Sequence, residues 1–383
     1  MAGIELKDRS FTCTAPVNIA VIKYWGKRNE ELILPINSSL SVTLHQNELR
    51  AKTMITLSSS FDEDQMWLND KEEDISNPRI QRCLREIRRL ATKTCSIDPS
   101  YLEGHVQIRS ENNFPTAAGL ASSAAGYACL VYCLSQVYGL KDVDISVIAR
   151  QGSGSACRSV YGGFVSWEKG EREDGEDSIA EQVCPDMHWP DLQVLILVVS
   201  EQKKTVSSTS GMRTSVETSS LINFRANNVV PARMDEMKQA IKEKDFSTFA
   251  TLTMKDSNQF HAVCLDSYPP IMYMNDASKY IVQLVTAYNL LYSSPRLAYT
   301  FDAGPNAVLF TPGGNIGEIL GLVQHYLPPN PGAENYIRGV SAGQAVPPTP
   351  SKTTINGIGL LPWKPGSLQY IIHTRVGPGP MTI

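Results

Sequence analysis

The sequence predicts an α+β (mixed α/β) fold, because strand-like and helix-like patterns recur along the whole chain. Residues 40–44 and 52–57 alternate between apolar and polar side chains, which is the period of a half-buried strand. Residues 231–242, 247–263 and 275–291 repeat their apolar positions at helical spacing. Both patterns occur from one end of the chain to the other, so an all-helical and an all-strand protein are excluded.

Further elements follow from the same patterns and from capping residues. Asn77 and Pro78 predict the start of a helix, with asparagine as the N-cap and proline in the first turn. The other predicted helices lie at 117–134 and 143–150. The other predicted strands lie at 11–15, 105–110, 162–167, 194–199, 297–301, 307–310 and 369–374. Flexible connections are predicted for a polar and a Pro- and Gly-rich segment, 203–212 and 328–350.

The chain has 383 residues, which is long enough for two domains that each bury a core. The chain becomes more polar after the apolar run that ends at Val199, which places a domain boundary between Pro190 and Lys204, and we expect domains at 1–195 and 196–383. Hydrophobic residues make up 42% and charged residues 19% of the chain, as in globular proteins. The net charge of −4 argues against a general nucleic-acid surface, so no nucleic-acid partner is expected.

Cysteine and histidine usage bears on compartment and on metals. The eight cysteines form no CxxC pair and no zinc-type cluster with the six histidines, and they predict reduced thiols of an intracellular protein. The first residues lack the apolar stretch of a signal peptide. The longest apolar run, Val194 to Val199, is too short to cross a bilayer. We therefore expect a cytoplasmic protein with no membrane partner.

Residues 112–126 form a loop of small residues that runs into a predicted helix. Gly119 permits a backbone geometry that a side chain would block. A helix N-terminus presents unpaired N–H groups and about half a positive charge, which together bind phosphate. Ser122 and Ser123 add hydroxyls that can reach a phosphate oxygen or a magnesium ion. The alternative is a tightly packed helix whose small residues let another element approach closely. No lysine stands at the spacing of a Walker A loop.

Three other polar positions suggest a binding site. Residues 151–158 repeat the glycines and serines of the first loop and end in Arg158, which can hold a carboxylate or phosphate with two hydrogen bonds. A polar cluster at 18–28 has a β-hairpin edge with solvated lysines as its alternative interpretation. Asp302 follows a predicted strand, where it can accept a proton or only cap the turn.

Four segments resemble signatures of the GHMP kinase superfamily and, within it, of the mevalonate diphosphate decarboxylases. In chain order they are 15–27, 115–124, 152–159 and 301–306. The resemblance covers most of the chain, although no motif is matched between 311 and 368. It implies a GHMP kinase fold, in which an N-terminal α/β domain packs on a C-terminal ferredoxin-like domain. It also implies that the active site lies in the cleft between these domains.

The activity that this resemblance implies is ATP-dependent decarboxylation of mevalonate 5-diphosphate to isopentenyl diphosphate, with Mg²⁺, usually by a homodimer. Catalytic roles are implied for Asp302 at the hydroxyl proton, for Arg158 and Asn18 at the substrate carboxylate, and for Lys23 and Ser123. Substrate binding is implied for Lys23, Tyr24, Trp25, Gly26, Arg79, Ser153, Gly154, Ser155, Ala156, Cys157, Arg158 and Thr214. ATP binding is implied for Asn112, Pro115, Ala117, Ala118, Gly119, Ser122 and Ser123.

Several alternatives stay open at the level of sequence. Either Ser122 or Ser123 can be the serine that contacts Mg²⁺ or the γ-phosphate, and the metal is assigned here to Ser123. Trp25 can equally be a core residue. A small-molecule kinase that stops at the phosphorylated alcohol would share the fold, and release of carbon dioxide separates it from a decarboxylase. A binding protein that senses phosphate would bind ATP or substrate without turnover.

Overall fold

Strands and helices follow one another along the chain, as the sequence predicts. The computed structural model describes residues 7–114, 122–202, 204–344 and 347–383. Its strands are β1 (Arg9–Pro16), β2 (Asn18–Ile22), β3 (Lys27–Asn29), β4 (Leu34–Pro35), β5 (Ser39–Thr43), β6 (Arg50–Ser58), β7 (Gln65–Leu68), β8 (Lys71–Glu73), β9 (His105–Asn112), β10 (Phe164–Trp167), β11 (Ala180–Cys184), β12 (Leu192–Val198), β13 (Ala298–Phe301), β14 (Ala307–Pro312), β15 (Ile337–Gly339), β16 (Tyr370–Arg375) and β17 (Met381–Thr382).

The helices are α1 (Pro78–Thr94), α2 (Ser122–Val137), α3 (Ser146–Gly152), α4 (Ala156–Ser159), α5 (Ser208–Thr218), α6 (Leu221–Phe224), α7 (Val230–Glu243), α8 (Phe246–Asp266), α9 (Asp276–Asn289), α10 (Ile316–Tyr326) and α11 (Lys352–Ile358). Short 3₁₀ turns lie at Pro99–Glu103, Asp186–His188 and Gly313–Asn315, and a π-helical turn lies at Arg225–Val229. The predicted α1 start is confirmed, because the N–H of Arg79 donates to Asn77 Oδ1 at 3.0 Å. The predicted mixed α/β class is confirmed as well.

Two sheets come mainly from the first half of the chain. A six-stranded sheet has the order β17-β1-β6-β9-β7-β8, and a four-stranded sheet has the order β11-β10-β5-β2. Helix α2 packs on β1 and β6. The Cys129 and Cys133 thiols lie 3.2 and 3.3 Å from the main-chain oxygens of Cys13 and Phe11. The small side chains of α2 therefore let the strands approach closely, as the packing interpretation of this segment predicted.

Strand β12 lies in the middle of a five-stranded sheet with the order β13-β14-β12-β16-β15. Val194, Ile196 and Val198 face a core that also contains residues of the first half of the chain. Leu195 and Leu197 face a second core, formed with α9 and α10. Because both faces are buried, the strand is apolar throughout rather than alternating. The two halves of the chain thus share one of these cores.

The prediction of a flexible connection at 203–212 was wrong in part. Helix α5 begins at Ser208, and the Ser207 hydroxyl caps it by accepting a hydrogen bond from the N–H of Ser210 at 3.1 Å. Serine and threonine have modest helix propensity, so the run of these residues hid the helix. Met212 anchors α5 in a small core beside Trp25. Within the second segment predicted as flexible, β15 pairs in parallel with β16.

Candidate active site

A cavity of about 600 Å³ opens between the two halves of the chain. Strand β2, the segment after it, α1, α2 and the turn before α4 contribute to one side, and α5 and the end of β13 contribute to the other. Many residues predicted from separate motifs line this one space. They are Asn18, Lys23, Tyr24, Trp25, Arg79, Ser122, Ser123, Ser153, Gly154, Ser155, Arg158 and Asp302.

An ion pair joins the two sides of the cavity, with Lys23 Nζ 2.6 Å from Asp302 Oδ1. Lys23 follows β2 and Asp302 follows β13, so each half of the chain supplies one partner. The Lys23 side chain is 3% exposed and that of Asp302 is 31% exposed, so the carboxylate is the partner that faces the open cavity. Oδ2 of Asp302 makes no hydrogen bond to the described residues. One carboxylate oxygen therefore remains for a ligand.

Arg158 lines the cavity with its guanidinium almost fully buried. Its Nε donates to Ser41 Oγ at 3.0 Å, Nη1 to Ser39 Oγ at 2.5 Å and Nη2 to Asn18 Oδ1 at 3.4 Å. No carboxylate forms an ion pair with it within the described ranges. Burial lowers the pKa of the Arg158 guanidinium, because water no longer solvates its charge. A buried cation without a counterion favours an incoming anion.

Asn18 fixes the orientation of this arginine. Its Nδ2 donates to Ser159 Oγ at 2.7 Å and to the main-chain oxygen of Ser155 at 3.0 Å. These two bonds leave Oδ1 as the amide atom that faces Arg158. Asn18 and Arg158, which the resemblance assigns to the same substrate group, are therefore in contact with each other in the structure.

Two serine-bearing segments meet at the cavity. Ser122 and Ser123 form the first described turn of α2, and Ser153 directly follows α3. The hydroxyls of Ser123 and Ser153 lie 3.2 Å apart. The first described turn of α2 and a pair of hydroxyls thus face the same space, which suits an anion.

The residues around the cavity fit a magnesium ion that is held mainly by phosphate oxygens. Within the part of the chain that the structure describes, no group of three or more His, Cys, Asp or Glu side chains could hold a metal. Mg²⁺ needs no such cage, because it keeps several waters and takes one or two protein oxygens beside substrate phosphates. The Ser123 hydroxyl can supply such an oxygen.

Aromatic side chains shape the wall of the cavity. The rings of Tyr24 and Trp167 lie 4.6 Å apart, edge to face. A Cβ at Gly154 would lie 2.8 Å from the Tyr24 ring, so only glycine fits there. The Tyr24 hydroxyl is buried without a hydrogen-bond partner among the described residues, and burial raises its pKa. Trp25 has the contacts of a core residue, since it is 2% exposed and donates to Ser215 Oγ at 2.9 Å.

Five predicted site residues do not line the cavity, namely Gly26, Asn112, Ala156, Cys157 and Thr214. Gly26 has a φ of +94°, and a Cβ there would lie 2.6 Å from Ile36, so this glycine serves the backbone. Cys157 lies under the serine loop, where burial raises the pKa of its thiol to about 12. The predicted ATP-binding residues Pro115, Ala117, Ala118 and Gly119 lie outside the described residues.

Sequence reasoning missed a group of polar residues on the second side of the cavity. Lys204 Nζ donates to Ser208 Oγ at 2.7 Å, and burial lowers the pKa of this lysine. Thr209 accepts a hydrogen bond from Arg79 Nη2 at 3.3 Å. Ser207 completes the group. The available signal was the run of Lys, Ser and Thr directly after a buried strand, which resembles the serine loops already singled out.

His261 on α8 lies near the Lys23–Asp302 pair and was also missed. It is 4% exposed, and its ring centroid lies 4.6 Å from that of Phe260. Burial, reinforced by the charge of Lys23, lowers the pKa of His261 to about 4. The imidazole is therefore neutral at neutral pH and adds no positive charge to the site.

We expect the free energy of unfolding to fall as the pH drops from 6.5 towards 4. In this window the unfolded chain protonates His261, whose ordinary pKa is 6.5, while the folded chain does not. The unfolded state then binds more protons, so stability rises with pH, by up to about 3 kcal/mol for this residue. Urea unfolding at several pH values checks this. His261→Gln should give a shallower slope, and an unchanged slope would contradict the assignment.

Basic and hydroxyl groups gathered around one accessible carboxylate are what an enzyme needs to bring a polyanion to a reacting hydroxyl. The site is thus that of a phosphoryl-transferring enzyme. Two family models match the chain, one described as the diphosphomevalonate decarboxylase-like N-terminal domain at residues 15–180. The other is the mevalonate 5-diphosphate decarboxylase C-terminal domain at 194–383. The chain belongs to the mevalonate diphosphate decarboxylase family.

Individual relatives agree with this membership. A diphosphomevalonate decarboxylase of Rattus norvegicus is 56% identical over 388 residues, covering 100% of this chain and 96% of the relative. The structure of mevalonate diphosphate decarboxylase from Trypanosoma brucei has a TM-score of 0.86 at 36% identity, covering 98% of both chains. A structure described as MDDEF in complex with MVAPP, AMPPCP and magnesium has a TM-score of 0.76 at 30% identity, covering 98% of this chain and 99% of that chain. The predicted family, fold class and enzyme activity are confirmed.

Proposed function

We propose that this chain catalyses the ATP- and Mg²⁺-dependent decarboxylation of mevalonate 5-diphosphate to isopentenyl diphosphate, in the mevalonate pathway of isoprenoid and sterol biosynthesis. The products besides isopentenyl diphosphate are ADP, phosphate and carbon dioxide. The observation that carries the proposal is that one cavity is lined both by the Lys23–Asp302 pair and by Arg158, whose guanidinium has no carboxylate partner among the described residues. This arrangement suits a substrate that presents a hydroxyl and a carboxylate close together.

The chemistry sets what each group must do. Phosphorylation of the tertiary hydroxyl at C3 makes it a good leaving group, and its departure leaves developing positive charge on carbon. Loss of carbon dioxide supplies the electron pair of the new double bond. Asp302 accepts or orients the hydroxyl proton through the oxygen that Lys23 leaves open. Arg158 holds the substrate carboxylate, and Asn18 holds Arg158.

The polyanions need separate binding groups. Ser122 and Ser123 at the start of α2 suit the phosphates of ATP, and Ser123 suits the Mg²⁺ that these phosphates carry. Arg79 and Lys204, from opposite sides of the cavity, suit a diphosphate or triphosphate chain. Mg²⁺ supplies neutralisation of charge on the transferred phosphoryl group. These side chains supply position and keep water away from the reacting atoms.

The proposal extends to assembly, location and domains. We include a homodimer, which the family resemblance supports, and a cytoplasmic location, which eight unpaired cysteines support. No helix in the described ranges is long and apolar enough to cross a membrane. We also propose domains at 1–195 and 196–383, a division that falls inside strand β12. Size-exclusion chromatography with light scattering tests the dimer.

The test is release of carbon dioxide from carboxyl-labelled mevalonate 5-diphosphate with ATP and Mg²⁺, with ADP measured in the same reaction. Equal amounts of carbon dioxide and ADP are expected. ADP without carbon dioxide would mean a kinase that stops at the phosphorylated alcohol. Binding of ATP without either product would mean a phosphate-binding protein, and both of these results would contradict the proposal.

Arg79→Gln is expected to raise KM for mevalonate 5-diphosphate by about tenfold with little change in kcat, because a lost charged hydrogen bond costs about 1.5–3 kcal/mol in ground-state binding. Steady-state kinetics with varied substrate measures this. Arg85→Gln on the same helix is the matched control, since the Arg85 side chain is 69% exposed and does not line the cavity. An equal rise in KM for both variants would remove Arg79 from the binding site.

A further inference from the structure

Both members of the Lys23–Asp302 pair are tied to one helix, α8, through the main chain. The N–H of Lys23 donates to Asp256 Oδ1 at 2.8 Å. The next residue on the helix, Ser257, accepts a hydrogen bond on Oγ from the N–H of Phe301 at 3.0 Å. Phe301 directly precedes Asp302. Consecutive residues of α8 therefore hold the two chain segments whose side chains meet in the cavity.

Asp256 belongs to a buried network of charged residues that also binds the main chain of Lys23. Arg225 donates from Nη2 to Asp256 Oδ1 at 2.8 Å and from Nη1 to Oδ2 at 2.9 Å. Arg233 Nη1 donates to the same Oδ2 at 3.0 Å. Arg225 Nη2 also donates to the main-chain oxygen of Lys23 at 3.2 Å. Asp256 and Arg225 thus hold the N–H and the C=O of one residue.

Strand pairing fixes these two main-chain segments only in part, since Phe301 pairs with Ala307 of β14 on one side and Lys23 lies in no strand. Lys23 lies between β2 and β3, outside regular structure, so no strand ladder fixes its main chain. Phe301 is the last residue of β13, an outer strand of its sheet, and an outer strand leaves main-chain groups without strand partners. Side chains of α8 accept from the two N–H groups, while the Lys23 C=O accepts from Arg225 and Asn37, which lie outside α8. The helix spans 21 residues and is anchored in the core by Phe249 and Phe260, so it is a rigid reference for both segments.

We propose that Asp256 and Ser257 are positioning residues that set the geometry between the Lys23 ammonium and the Asp302 carboxylate. The inference rests on the proposed function, in which Asp302 acts on the substrate hydroxyl. Proton transfer depends on placement, and a displacement of about 1 Å can lower a rate by about 10². Each half of the chain supplies one member of the pair. A helix that binds both main-chain segments therefore fixes the distance between the Lys23 ammonium and the Asp302 carboxylate.

The deciding experiment compares Ser257→Ala with Thr253→Val. Thr253 lies one turn earlier on α8, is fully buried, and its hydroxyl has no hydrogen-bond partner in the described structure. Ser257→Ala should lower kcat by about tenfold to hundredfold with KM for ATP nearly unchanged, whereas Thr253→Val should stay within about twofold of the wild type. Equal effects of the two variants would overturn the proposal.

A double-mutant cycle excludes a merely structural role for Ser257. In an Asp302→Asn background no carboxylate remains to be positioned, so adding Ser257→Ala should lower kcat by less than about twofold. The same fold-loss in both backgrounds would overturn the proposal. Asp256→Asn should lower kcat more strongly, but it also removes the negative charge that Arg225 and Arg233 pair with. The Ser257 variant is therefore the one that tests the positioning role. A wild type that releases no carbon dioxide would refute the proposed function itself, whereas an active wild type with unaffected Ser257→Ala refutes only the positioning role.

Discussion

Replacing Asp302 with asparagine is expected to lower kcat by about 10²–10⁴-fold while ATP binding stays nearly unchanged. Asparagine keeps the size of the side chain but cannot accept the hydroxyl proton, and general-base catalysis contributes about that factor. Loss of the negative charge also removes stabilisation of positive charge that develops on the substrate carbon, which enlarges the effect. Steady-state release of carbon dioxide gives kcat, and titration calorimetry with ATP gives the binding constant.

Glu168→Gln is the matched control for this variant. Glu168 pairs with Lys238 at 2.8 Å, and its side chain is 33% exposed, close to the 31% of Asp302, but it lies outside the cavity. Removing its charge should leave kcat within about twofold. A partly exposed ion pair contributes only about 1 kcal/mol to folding stability, and this pair does not contact the reacting groups. Near-normal turnover of Asp302→Asn would exclude Asp302 as the group that acts on the hydroxyl.

Replacing Arg158 with lysine is expected to lower kcat/KM by about tenfold to hundredfold although the positive charge is kept. Arg158 lines the cavity and donates to Ser39, Ser41 and Asn18. A single ammonium cannot make these bonds and hold a carboxylate as well. Each lost charged hydrogen bond costs about 1.5–3 kcal/mol. Kinetics with varied mevalonate 5-diphosphate measures the change.

Arg150→Lys separates loss of packing from loss of function. Arg150 is as buried as Arg158 and donates to the main-chain oxygens of Leu32, Gly175 and Ser178, but it does not line the cavity. We expect this variant to lower the thermal unfolding midpoint and to keep kcat/KM within about twofold. If both variants lost the same activity, the Arg158 effect would reflect a disturbed core rather than a lost carboxylate contact.

The elements that sequence predicted well are those whose signal is local. Asn77 and Pro78 mark the start of α1, and the long amphipathic helices α7, α8 and α9 follow from apolar spacing alone. Helix α5 was missed because it is rich in serine and threonine, which individually favour caps and turns over helix interiors. The apolar run of β12 indicates a buried strand, but no local pattern shows which two cores its faces contact, since its place in the sheet depends on strands that follow much later in the chain.

The site residues also differ in whether the sequence around them carries a local signal. Residues such as Asn18, Lys23, Arg158 and Asp302 belong to recognisable motifs, so their chemistry could be assigned before any geometry was known. The residues that bind the main chain beside these side chains belong to no recognisable motif. Asp256 is one carboxylate among many until a distance of 2.8 Å joins it to the N–H of Lys23. Contacts between side chain and main chain across more than two hundred positions leave no mark in composition or spacing.

Strand β17 completes the first sheet by pairing with β1, and Thr382 reaches the Cys13 thiol across 369 positions of sequence. During synthesis on the ribosome, β1 therefore emerges long before its outer neighbour exists. An exposed strand edge recruits other chains and promotes aggregation. Until then β6 is the strand partner of β1, and the edge at Cys13 and Thr14 stays open to other chains.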